Sequence, residues 1–192
     1  LNYLTDFADQ AVMLPVAALI ALGLAVSRWW RGLGAWVFAV VGMLGTMAVL
    51  KYVFYTCVPL WQDTGIRSPS GHTAASATIY GGVLVLLLRD RLRPALLALI
   101  PVTIAVLFAI TRLVLHAHDV AEVVAGGAVG LVSVAALVLL AGPRPAALPV
   151  WPVAVLATGS ILWFHGVRLP AEAAIHNFAL FTWLPLPAVC RA

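Results

Sequence analysis

Charge is what this chain has least of. Only 9% of its 192 residues are charged, against 64% hydrophobic, and mean hydropathy is +1.07. A soluble domain of this size carries roughly 25% charged residues, so a water-soluble globule is excluded. Also missing is a basic stripe interleaved with exposed aromatics. The net charge of +4 and pI of about 9.6 therefore do not mark a nucleic-acid surface. Short segments of alternating polarity, the mark of a membrane barrel, are absent as well, because the apolar runs are continuous. No low-complexity tract or internal repeat stands out. Leu1 to Gln10 lacks a basic n-region and is acidic, so no cleavable signal peptide is expected there. Residue 1 is not Met, which leaves room for residues upstream.

What is present is a series of apolar runs near the ~20 residues that cross a bilayer. Six spans are expected, roughly Ala11–Ser27, Leu33–Tyr55, Thr73–Leu88, Pro94–Leu115, Val120–Ala141 and Ala146–Gly166. The fold class is thus all-α: a polytopic membrane bundle of about six helices, one domain over residues 1–192. Arg28, Arg31, Arg89, Arg91, Arg93 and Arg144 follow spans one, three and five, which the positive-inside rule assigns to the cytoplasm. The loops between spans two and three and between spans four and five then lie outside. So does the tail, residues 167–192, with an interfacial helix expected near Ala171–Phe181 and Trp183 at headgroup depth. Cys57 and Cys190 share that outer side. An oxidising exterior permits a disulfide between them; packing as two small hydrophobes is the competing reading.

The remaining polar residues gather in two islands, both in outer loops. The first is Ser68-Pro69-Ser70-Gly71-His72. Ser70 suits an N-cap, Gly71 allows close backbone approach, and free N–H groups at the helix start point at an anion. His72 beside that anion could pass a proton to a leaving oxygen. The second island holds Thr111-Arg112, His118 and Glu122. His118 and Glu122 are spaced i, i+4, so they share a helix face, and a carboxylate beside an imidazole fixes its tautomer. Arg112 offers a fork suited to phosphate oxygens. Lys51 ends the second apolar run, where snorkelling is the bland account, and Arg67 lies just upstream of the first island. His116, His118, Asp119 and Glu122 also form a dense cluster that a metal-dependent hydrolase would use, although Ser70-Gly71-His72 has no task in that scheme. His165 and His176 are expected to stay outside the site. Gly126, Gly127 and Gly130 suit close helix packing, within the chain or between copies.

Taken in order, these residues resemble the three motifs of the type 2 phosphatidic acid phosphatase superfamily, which is related to vanadium haloperoxidases. Pro69-Ser70-Gly71-His72 matches the second motif in full. Thr111-Arg112, five residues, His118, three residues and Glu122 matches the third, with Thr for Ser and Glu for Asp. Lys51 opens the first motif, whose Arg-Pro reads Val58-Pro59 here, so one cation is missing. The resemblance covers residues 51–127. It implies a cofactor-free, metal-free hydrolysis of a lipid phosphate or polyprenyl diphosphate. His118 would attack phosphorus to form a phosphohistidine, oriented by Glu122, with His72 as acid and then base. Lys51, Arg112, Ser70 and Gly71 would hold phosphate oxygens, with Arg67 as the substitute for the arginine lost at Val58. The implied location is a bacterial cytoplasmic membrane, with the site facing the periplasm or exterior. A degenerate lipid-binding or transport protein of the same fold is the alternative. The substrate lipid and the oligomeric state are not legible.

Overall fold

The computed structural model describes residues 2–57, 66–145, 148 and 150–181. Val58-Pro59, the start of the sixth expected span at Ala146, Trp183 and Cys190 lie outside the described residues. Among the described residues every regular element is helical: α1 (Asn2–Asp6), α2 (Gln10–Val26), α3 (Trp30–Thr56), α4 (Gly71–Leu88), α5 (Pro94–Val114), α6 (Val120–Leu140), α7 (Val150–Phe164) and α8 (Ala171–Phe181). The protein is an all-α integral membrane bundle. Helices α3 to α6 are long and apolar enough to cross a bilayer, while α2 and α7 are apolar but only 17 and 15 residues long. At about 1.5 Å per residue, α7 reaches roughly 22 Å of a ~30 Å hydrocarbon core.

Each long helix is apolar all round, so hydrophobicity alone does not choose its inner face. On α6 small side chains choose it, whereas α3 buries large and small residues alike. On α3 the buried positions are Gly32, Ala35, Trp36, Ala39, Val40, Met43, Met47 and Lys51, a three-to-four-residue stripe. Val37, Phe38, Val41 and Val49 on the other side are exposed, as lipid-facing residues should be. On α6 the stripe is Glu122, Val123, Gly126, Gly127, Gly130, Ser133, Val134 and Leu137. Gly126 and Gly130 let α6 press directly on the α4 backbone. A Cβ on Gly126 would stand 2.2 Å from the Ser70 carbonyl oxygen, and one on Gly130 would stand 2.8 Å from that of Ala74. Small residues driving helices together is the usual solution where lipid removes the hydrophobic incentive to pack.

Where α4 passes α5 it carries a π-helical segment, Ala77–Gly81, opposite Pro101. Such segments loosen the regular ladder. The Thr78 hydroxyl donates to the Ala74 carbonyl at 2.9 Å, satisfying one acceptor there. At the end of α4 remote from the islands, arginines close the bundle. Arg89 donates to the Gly142 carbonyl at 2.7 Å, and Arg144 donates to that of Leu87 at 2.8 Å.

At the island end, the N-terminal segment grips the stretch that precedes α8. Asp6 accepts two bonds from the Arg168 guanidinium at 2.9 and 3.0 Å. Asp9 caps α2 and also accepts from the Leu169 amide at 3.1 Å. His165 packs its ring 4.2 Å from that of Tyr3. These bonds bring α8 against α3, over the mouth of the bundle.

Candidate active site

The two islands meet where α3 ends and α4 and α6 begin, and Glu122 joins them. Its carboxylate is buried in the first turn of α6. Oε1 accepts from the Arg67 amide at 2.5 Å and the Ser68 amide at 2.7 Å. Oε2 lies 2.7 Å from His118 Nδ1 and accepts from the Asp119 amide at 3.2 Å. The Glu122 carbonyl accepts from the Ser70 amide at 2.9 Å. An ionised carboxylate only accepts, so Nδ1 carries the proton and Nε2 of His118 keeps a free lone pair. His118 reaches this position because α5 stops just before it and the chain turns at His116, with φ of 51°. Burial pushes the His118 imidazole below its ordinary pKa. The bond to Glu122 and its charge oppose that shift, and the Lys51 and Arg112 cations add to it. The ring is therefore neutral, and nucleophilic, at neutral pH.

Lys51, the chain's only lysine, is buried in the last turns of α3. Its ammonium donates to Ser68 Oγ at 3.2 Å and to Glu172 Oε1 at 2.7 Å. Arg112, in the last turn of α5, donates to Thr5 Oγ1 at 3.2 Å. Its buried Nε has no hydrogen-bond partner among the described residues. A buried N–H of this kind is normally paired, so this one is available to an incoming acceptor.

Ser70 is fully buried and caps α4. Its Oγ accepts from the Thr73 amide at 3.4 Å and from the Thr73 hydroxyl at 3.0 Å. Its own amide is taken by the Glu122 carbonyl, which leaves the hydroxyl proton as the group Ser70 has to offer an anion. The amides of Gly71 and His72 have no partner among the described residues, as first-turn N–H groups lack one within the helix.

Two pockets that share Glu172 hold most of these groups, although Arg112 and Ser70 line neither. One is lined by Lys51, Gly71, His72 and Asp9; the other by Arg67, Ser68, His118 and Glu122, and Glu172 borders both. His72 lies within electrostatic range of Arg112 and His118. Among the described residues no three His, Cys, Asp or Glu side chains are grouped as metal ligands. His116 and Asp119 are exposed, whereas the His118 and Glu122 side chains are buried.

Residues 51–145 match the PAP2 superfamily model, a stretch that starts at Lys51 and contains both islands. The chain belongs to the PAP2 superfamily. No curated protein and no solved structure matches it. PAP2 members are generally phosphatases, which makes phosphoester hydrolysis the supported class of activity. As a PAP2 protein the chain has three departures of its own, Thr111, Glu122 and Val58, and the last lies outside the described residues. Cys57 is buried and disulfide-bonded, while the proposed pairing partner Cys190 falls outside the described residues.

Three residues border the PAP2 site that sequence reasoning left out of it. Tyr55, one turn beyond Lys51 on the same α3 face, donates to Glu172 Oε1 at 2.8 Å. His176, expected to lie outside, borders the His118 pocket with its ring 5.0 Å from that of Tyr55. Glu172 sits in the first turn of α8. Burial resists its ionisation, but the Lys51 charge and the bonds from Lys51 and Tyr55 prevail and hold its pKa at about 2. The spacing from Lys51 to Tyr55 was a readable signal. Nothing local marked Glu172 or His176.

Proposed function

We propose that this PAP2 protein hydrolyses a lipid phosphate or polyprenyl diphosphate through a phosphohistidine on His118, at the outer membrane face. The observation that carries the reading is the Glu122 carboxylate. It holds His118 by Nδ1 and leaves Nε2 free, within electrostatic range of Lys51 and Arg112.

In the first step the Nε2 lone pair attacks the terminal phosphorus and the bond from it to the leaving oxygen breaks, the lipid oxygen of a monoester or the bridging oxygen of a diphosphate. His72, protonated for this step, gives its proton to that oxygen. In the second step water attacks the phosphohistidine and passes a proton to His72. The P–N bond breaks, and inorganic phosphate leaves. Lys51, Arg112 and the amides of Gly71 and His72 neutralise the equatorial oxygens, and Arg67 adds a further cation from the loop. Positioning and charge neutralisation of this kind supply most of the catalysis in phosphoryl transfer. The substrate's tail stays in the bilayer while its headgroup enters from the interface.

The test is phosphate release by the purified protein across a panel of phosphatidate, sphingoid phosphate and polyprenyl diphosphate, with excess chelator present. Release is expected from at least one lipid, and none from His118→Ala. A His118→Ala variant that turns over like wild type removes the nucleophile assignment. A wild-type protein inert on every lipid favours a binding role instead.

A further inference from the structure

One contact at the site has no part in the reaction just described. Glu172 Oε1 accepts from Lys51 Nζ at 2.7 Å, Tyr55 Oη at 2.8 Å and Ser68 Oγ at 3.1 Å. Three donors converge on a single anionic oxygen at the junction of the two pockets that His72 and His118 line. A phosphoryl oxygen would use the same donors.

We propose that Glu172 is a specificity-determining residue of this PAP2 site: its carboxylate holds the phosphate position against singly charged phosphodiester headgroups and yields it to doubly charged phosphomonoesters or diphosphates. The proposal rests on the phosphatase reading and names the substrate charge that the site selects.

The physical case begins with the competitors. A site at the membrane interface faces phospholipid headgroups in large excess, most of them phosphodiesters with one negative charge. Without a guard, Lys51 and Arg112 would attract them as readily as the scarcer substrate. Glu172 is also a single negative charge, but it is tethered. The Asp6–Arg168 and Asp9–Leu169 bonds fix the start of α8, so the carboxylate competes at the high effective concentration of an attached ligand. A phosphodiester that displaces it gains no charge and loses the tether. A phosphomonoester carries about −1.5 to −2 and gains attraction to both cations. Discrimination then comes from obstructing the wrong ligand rather than from extra contacts to the right one.

The geometry makes the exchange feasible. The Lys51 side chain is 8% exposed, whereas that of Glu172 is 52% exposed. Displaced, the carboxylate moves into water, and the lysine finds its new partner already in place. No buried charge is stranded at either stage, which is the costly outcome for paired ions. The low pKa keeps Glu172 ionised across the working range.

The experiment uses the full chain in mixed micelles with phosphatidate as substrate and phosphatidylglycerol as a rising mole fraction, against a neutral detergent diluent. Phosphatidylglycerol is expected to inhibit Glu172→Gln and Glu172→Ala more strongly than wild type, by up to roughly fivefold, the most that an ion pair of this exposure supplies. Inhibition constants equal to wild type in both variants overturn the proposal, whatever happens to their turnover. Binding of the two lipids to His118→Ala, with and without Glu172→Gln, reads the same selectivity without chemistry. Failure of wild type to release phosphate thus defeats the phosphatase reading alone. An unchanged binding ratio defeats this one.

Discussion

Glutamate at position 122, where the family pattern has aspartate, is the substitution with the clearest structural consequence. The extra methylene lets one carboxylate span two tasks: Oε2 orients His118, while Oε1 fastens the Arg67 and Ser68 amides. A shorter side chain rooted at the same point of α6 reaches one of these and not the other. Glu122→Asp is therefore expected to lower kcat by at least about tenfold even though it restores the family's residue. Misplacements of this size at a reacting group cost that much or more. Steady-state phosphate release checks it, with KM moving less than kcat. A Glu122→Asp enzyme at wild-type rate would mean that the loop needs no anchor from this side chain.

Among the elements, the α4–α6 contact sets how closely the two motifs approach. Gly126 lies one turn beyond Glu122, and the oxygen its missing Cβ would strike belongs to Ser70, the residue that caps α4. Gly126→Ala must push the α4 start away from α6, which moves His72 and the Gly71 amide relative to His118. The expected outcome is loss of most activity together with a lower thermal midpoint in detergent, since overpacking costs about 1–3 kcal/mol. Gly34→Ala is the control, because nothing lies within 4 Å of its added methyl group. Equal midpoints and equal activities for the two variants would show that the close approach is dispensable. The same contact settles what the glycines of α6 are for: Gly126 and Gly130 pack within the chain.

At the scale of the whole molecule, the arginines at 28, 31, 89, 91, 93 and 144 fall at the end of the bundle opposite the site, since α4 alone separates Ser70 from Arg89. The outward orientation proposed for the site is what the positive-inside rule expects of this arrangement. In a background with Cys57→Ala and Cys190→Ala, a membrane-impermeant maleimide on intact cells is expected to label Val167→Cys and spare Asp90→Cys. Both positions are exposed, and Val167 lies beside the site end. The reverse pattern would turn the site to the cytoplasm.

Much of this was legible along the chain. The four long spans, the helix at Ala171–Phe181, the Ser70 cap and the convergence of both islands on one end follow from hydropathy and periodicity, which are local properties; the His118–Glu122 pair was expected on one helix face, but His118 precedes α6 and meets Glu122 from the turn before it. Lys51 and Arg112 announced themselves as isolated cations in apolar surroundings. What the tertiary structure alone decided is the partnership between positions far apart: Glu172 on Lys51 across 121 residues, Thr5 on Arg112 across 107, and Asp6 on Arg168 across 162. The tail's apolar residues Ala174, Ile175 and Phe178 recur at helical spacing but do not name α3 as their partner, and a glutamate in its first turn reads equally well as a solvated helix start. Its place over the candidate site exists because the N-terminal aspartates hold the preceding segment there. Local sequence determines which helices form and what chemistry each carries; only packing determines which carboxylate meets which cation, because those pairs share space and not sequence.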